Sequence, residues 1–285
     1  VYKRQSIDNA IINAYIIKGM SEKWRRRFLT WGILIAVFLI RFFIPLLLIA
    51  FTLQNLNLLE VLNEDIKSPK SIKANESLLL MFGGVFLIYV YLHWLFMEDK
   101  RPLFLERFVK KSYSIWFFAI CAIVLTIILY FSRFNVWLML VSSLASSVFF
   151  ILFGFRKMAA ENISKNKDVK DFSSFLYLEL LDASFSFDSI FGALAFTRNL
   201  ILILIGIGSG AIIVRQLTIK GLKIITKFKY LKNGAMTSIG FLGLYMILKS
   251  LGFDLPDYLP ALITFLFVGI SYYYDTKKRK QEHRI

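Results

Sequence analysis

Along the chain, long apolar runs alternate with short segments crowded with lysine and arginine. Nine runs stand out: 5–19, 28–53, 77–97, 114–132, 135–155, 173–197, 200–219, 235–251 and 258–274. Most reach about 18 residues, the length at which a helix rising ~1.5 Å per residue crosses a hydrocarbon core ~30 Å thick. An open sheet could not satisfy its edges in lipid, so the runs predict helices. The expected fold is all-α: a polytopic membrane helix bundle of about nine spans, with residues 1–285 as one transmembrane domain. Composition agrees, at 57% hydrophobic and 16% aromatic residues. The first run is short, and the chain opens on "VYKRQ", which has neither the apolar core nor the cleavage site of a signal peptide. The reading expects a truncated N-terminus.

Charge changes the picture by its placement. The net charge is +16, which on a soluble chain would suggest nucleic acid. Here the basic residues sit in alternate loops. "SEKWRRR" has four, "EDKRPLFLERFVKK" five, "RKMAAENISKNKDVKD" five, "RQLTIKGLKIITKFKYLKN" six and the tail "DTKKRKQEHRI" five. The intervening loops are balanced or nearly so. The positive-inside rule then makes every odd-numbered loop and the C-terminus cytoplasmic, in a prokaryotic inner membrane. No basic stripe on a soluble face remains for nucleic acid. The expected partners are the lipid bilayer and a cation, with a homo-oligomer or a membrane partner protein open.

Two stretches break the apolar pattern in the same way. "SIDNAIINAYI" places Asp8 in the first span, and "SFDSIFGALAF" places Asp188 in the sixth. The loop charges make these two spans antiparallel, as in an inverted-topology repeat, where transporters hold substrate near the bilayer midplane. The expected organisation is a first repeat over 1–97, connecting helices and cytoplasmic loops over 98–172, a second repeat over 173–274 and a basic tail over 275–285. Each motif is followed by an arginine on or beside the next span: Arg41 as a counter-ion, Arg215 as a counter-ion or a snorkelling side chain.

A carboxylate at the bilayer centre costs roughly 2.5–3.5 kcal/mol even on lenient insertion scales, so it persists where it has work or partners. Asp8 has Ser6, Asn9 and Asn13 nearby in sequence. Asp188 has Glu179, Asp182, Ser186 and Ser189. At about 100° per residue, Glu179, Asp182, Ser186 and Ser189 share one helix face, and Asn9 shares one with Asn13. Asp188 falls about 120° from Asp182, so either the helix unwinds locally or Asp188 meets a different neighbour. Oxygen ligands without His or Cys suit hard cations, with Mn²⁺ or Ca²⁺ the best fit. The alternative is that the polar groups only hold helices together.

Other features carry less. His93 in "YLHWLFMEDK" is a proton relay or an interfacial hydrogen-bonding group. Glu98 and Asp99 are solvated charges at a helix end or an ion vestibule. "GIGSG" at Gly206–Gly210 reads as close helix packing, since no strand precedes it. Cys121 stands alone and excludes an intramolecular disulfide. No nucleophile–base set, metalloprotease motif or P-loop is present, so no enzyme and no catalytic residue is expected, and no permanently bound cofactor.

The stretches "SIDNAIINAYIIKGMSEKWRRRFLTWGILIAVFLIRFFIP", "FLYLELLDASFSFDSIFGALAFTRN" and "IGIGSGAIIVRQLTI" resemble the TerC-like integral membrane family, nearest its bacterial branch of unknown function, within a larger superfamily of cation and small-solute exporters. The resemblance implies a divalent-metal exporter, chiefly for Mn²⁺, with Asp8, Asn9, Asp182 and Asp188 at the family's acidic positions. Tyr2 stands where that family usually has an acid. The rival reading is a membrane scaffold in a metal- or tellurium-stress complex, without transport.

Overall fold

The computed structural model describes residues 6–35, 69–98, 100, 102–109, 111–161, 167–196, 206, 208–210, 212–213, 216 and 228–282. Among them the regular structure is helical. The α-helices are α1 (Ser6–Lys18), α2 (Glu22–Leu29), α3 (Trp31–Leu34), α4 (Pro69–Met97), α5 (Phe117–Phe131), α6 (Val136–Glu161), α7 (Lys167–Phe196), α8 (Leu231–Ser250) and α9 (Leu259–Glu282). Two 3₁₀ turns, Leu105–Arg107 and Lys111–Trp116, join α4 to α5.

Three stretches are long and apolar enough to cross a membrane: Glu76–Met97 in α4, Ser114–Phe131 through α5, and Val136–Gly154 in α6. The nine expected spans therefore stand as three among the described residues. The reason is visible in the helices that fall short. α7 carries seven charged residues, and α8 opens on Lys232, Asn233, Gly234, Thr237 and Ser238. Much of the runs at 28–53 and 200–219 lies outside the described residues.

α8 and α4 form the centre. They run antiparallel and meet through glycine: a Cβ on Gly84 would come 2.8 Å from the Gly243 carbonyl oxygen, and one on Gly243 would come 2.9 Å from that of Gly84. Missing side chains let the two backbones touch, as in small-residue packing between membrane helices. The same antiparallel register continues outward, with the Tyr91 ring on Gly240, Ser250 against Met81 and Lys232 on Glu98. α9 packs against the other side of α8, where Gly234 meets the backbone at Phe267 and the Ser271 hydroxyl.

Around this pair, the chain from the end of α1 through the turn into α2 runs back along the start of α7: Ile17 of α1 packs with Phe175 and Leu178, Ser21 in the turn bonds Asp171, and Trp24 of α2 bonds Asp168. α1 also contacts α8, and α7 contacts α4. The α5–α6 hairpin closes on Asn135, whose Oδ1 accepts from the Trp137 and Leu138 amides and caps α6. It joins the core where Tyr89 Oη donates to the Cys121 carbonyl. α8 ends in a Schellman turn at Gly252 (φ 92°), with the Phe253 amide bonded to Leu248 O and the Gly252 amide to Lys249 O.

These contacts gather one set of ends. The close of α1, α2, the 98–116 connection, the start of α7, the start of α8 and the C-terminal half of α9 share one end of the bundle. The 132–135 turn and the 251–258 turn lie at the other. α9 continues as helix through Asp275 and the following basic residues to Glu282.

Candidate cation site

α7 is helical without a break from Lys167 to Phe196. Of the two alternatives for Asp182 and Asp188, the backbone does not adopt local unwinding. One face of α7 reads Asp171, Phe175, Leu178, Asp182, at 4-3-4 spacing, and Ile17 of α1 packs on Phe175 and Leu178 of that face. Asn13 stands one turn before Ile17 on α1. All of these are buried, as is Glu179. Asn13 Oδ1 has no hydrogen-bond partner. An amide oxygen without a hydrogen-bond partner is an acceptor only, the kind of group that can serve as an oxygen ligand.

The other expected site residues are placed less fully. Ser6, Asp8 and Asn9 belong to α1, and Ser186, Asp188 and Ser189 to α7, by backbone. Their side chains lie outside the described residues, as do Arg41 and Arg215 altogether. Among the described residues, no three His, Cys, Asp or Glu side chains form a metal-holding group.

His93 is not in the α1–α7 seam. It sits edge-on to Phe117 and Phe153, with Nδ1 3.9 Å from Glu98 Oε1. Glu98 also takes Lys232 Nζ, so it is a paired group. In "GIGSG", a Cβ at Gly206 or Gly210 would meet nothing within 4 Å; among the described residues the close glycine contacts are those of Gly84, Gly234, Gly240 and Gly243. Helix packing is a property of both partners, and one apolar run does not reveal its neighbour.

Sequence reasoning passed over three buried acids. Asp171 is 1% exposed and accepts from the Ser21 amide (3.1 Å) and hydroxyl (2.5 Å), tying the α1–α2 turn to α7. Asp275 accepts from the Tyr230 amide at 2.8 Å and ties α9 to the start of α8. Glu106 is 4% exposed and takes Asn233 Nδ2 and the Leu103 amide on Oε1. The signal for Glu106 was its setting: "PLFLERF" is too apolar for a solvated loop.

Outside the spans, one carboxyl is perturbed in a way that bears on stability. Lys249 Nζ donates to Asp257 at 2.8 Å and holds its carboxyl below the usual carboxylate range.

The family whose model is described as "Protein of unknown function (DUF475)" matches residues 7–282, and the chain belongs to it. No curated protein and no solved structure matches the chain.

Proposed function

We propose that this DUF475 protein is a multi-pass membrane transporter that exports a divalent cation, Mn²⁺ foremost, through a site in the seam between α1 and α7. The observation that carries the reading is the contact between α1 and α7, with Asn13 buried on the first and Glu179 and Asp182 buried on the second. Carboxylates and amide oxygens without His or Cys are the ligands of a hard divalent ion. Asp8 and Asp188 are the proposed central ligands with Asn9; because α7 is unbroken, Asp182 falls about 120° from Asp188, so it and Glu179, on its face, line the path beside the site without sharing its ion.

The contact pattern supports an inverted repeat. Exchanging α1 with α7 and α4 with α8 leaves the set of contacts among the four unchanged: α1–α7, α4–α8, α1–α8 and α4–α7. Such an arrangement allows one repeat to rock against the other around a midplane site. The end that gathers the basic loops is the cytoplasmic one in this proposal. The likeness of the two Ser-x-Asp stretches to the TerC-like family supports the same substrate class.

The test is Mn²⁺ accumulation in cells stripped of their own exporters. The unmutated chain should lower cellular Mn²⁺, while Asp8→Asn and Asp188→Asn at matched membrane expression should not. Equal Mn²⁺ in all three strains would remove the acids from the mechanism and favour a scaffold.

A further inference from the structure

A second group of buried oxygens lies apart from the α1–α7 seam, where the 102–109 connection turns back onto the bundle. Phe104 stacks edge-on to Phe267 of α9, at 5.1 Å between ring centroids, and carries the loop over the α8–α9 groove. This lowers Glu106 onto the start of α8, where Asn233 Nδ2 holds its Oε1. Asn233, Thr237 and Gly240 follow at 4-3 spacing and form one stripe of α8. Glu106 touches the first of them and the Tyr91 ring covers the last. Thr237 lies between, 1% exposed.

Three oxygens in this small region make no hydrogen bond: Glu106 Oε2, Tyr91 Oη and Thr237 Oγ1. Two of the three are hydroxyls able to donate to the carboxylate, yet none is engaged with it. Groups left unbonded this way are rare in a folded interior and call for a partner. Lys232, beside Asn233 on α8, is committed to Glu98. The three unbonded groups are all oxygens: one carboxyl and two hydroxyls.

We propose that Glu106, Tyr91 and Thr237 form a binding site for one small monovalent cation of the Na⁺ class. A lone carboxylate with neutral hydroxyl oxygens matches a single positive charge, whereas a divalent ion draws on several charged ligands. Asn233 is a positioning residue: its amide fixes Oε1 and turns Oε2 toward the two hydroxyls. The site shares no ligand with the α1–α7 seam, and it stands or falls independently of metal export.

The experiment is ²²Na⁺ binding to the purified full-length chain in detergent, with choline as the replacement cation and no divalent metal present. Saturable binding is expected below ~150 mM Na⁺, the physiological ionic strength. Glu106→Gln should abolish it. Thr237→Val and Tyr91→Phe, which each delete one oxygen at constant charge, should weaken it by about ten-fold. Thr237→Val also keeps the shape, so it decides the matter if Glu106→Gln does not fold. Absence of saturable binding by the unmutated chain overturns the proposal, as does unchanged binding in Thr237→Val or in a folded Glu106→Gln.

Discussion

Asp171 shows what a buried carboxylate needs in order to be structural. It receives two donors from Ser21, one of them a backbone amide that would otherwise be lost at the start of α2. Asp171→Ala should lower stability by about 1–3 kcal/mol, the cost of leaving such groups unpaired, read by thermal unfolding in detergent. An unchanged midpoint would mean that the α1–α2 turn is held elsewhere. Asp257 gives a pH-dependent counterpart. Its carboxyl is held below the usual range by Lys249, so its contribution is present above about pH 4 and is lost as pH falls through the lowered value. The side chain is 81% exposed, which keeps the effect within roughly 0.2–1 kcal/mol. The midpoint difference between the native chain and Asp257→Asn should therefore be visible at pH 7 and shrink progressively as pH falls below about 4. Such residues were poorly legible in the sequence for one reason. Apolar periodicity marks what is buried within a span, while Asp171 and Glu106 are buried by what folds over them from far along the chain.

At the scale of helices, the α4–α8 crossing is the element on which the bundle depends. The two glycines that make it, Gly84 and Gly243, stand in unremarkable apolar runs, and only the contact reveals their role. A methyl group on either would press against backbone atoms 2.8–2.9 Å away. Gly84→Ala and Gly243→Ala should each cost about 1–3 kcal/mol by overpacking. Gly154→Ala on α6 is the control, since nothing lies within 4 Å of its Cβ, and the better helix former should be neutral or stabilising by up to about 1 kcal/mol. Equal effects at all three positions would make the close crossing irrelevant to stability. The long apolar runs announced α4, α5 and α6 directly. They did not announce α2, because "EKWRRRFL" reads as a basic loop; its helix forms by burying Trp24 and Phe28 against α1 and α7. The run at 28–53 accordingly starts inside α2.

At the scale of the molecule, the described parts of the basic segments (α2, 102–109, the start of α7, 228–232 and the end of α9) share one end of the bundle, and the "SRFN" turn lies at the other. The spacing of charge along the chain made this arrangement legible, because positive loops alternate only when successive helices alternate in direction. What the charges could not supply is the lateral order of the helices, which rests on glycine contacts and on a loop that folds back. The proposed sidedness has a direct test, eased by chemistry already in the chain: the single cysteine, Cys121, is buried and should stay unlabelled. Phe134→Cys replaces a residue 89% exposed at the tip of the α5–α6 turn. Arg26→Cys lies on the exposed face of α2, at the end where the basic loops gather. A membrane-impermeant maleimide added to intact cells, with the outer barrier opened, should label Phe134→Cys at once. It should reach Arg26→Cys only after the inner membrane is permeabilised. The opposite pattern would invert the chain in the bilayer and turn the direction of transport with it. Labelling of both in intact cells would mean that these two ends are not separated by a membrane, and the multi-pass reading would fall with it.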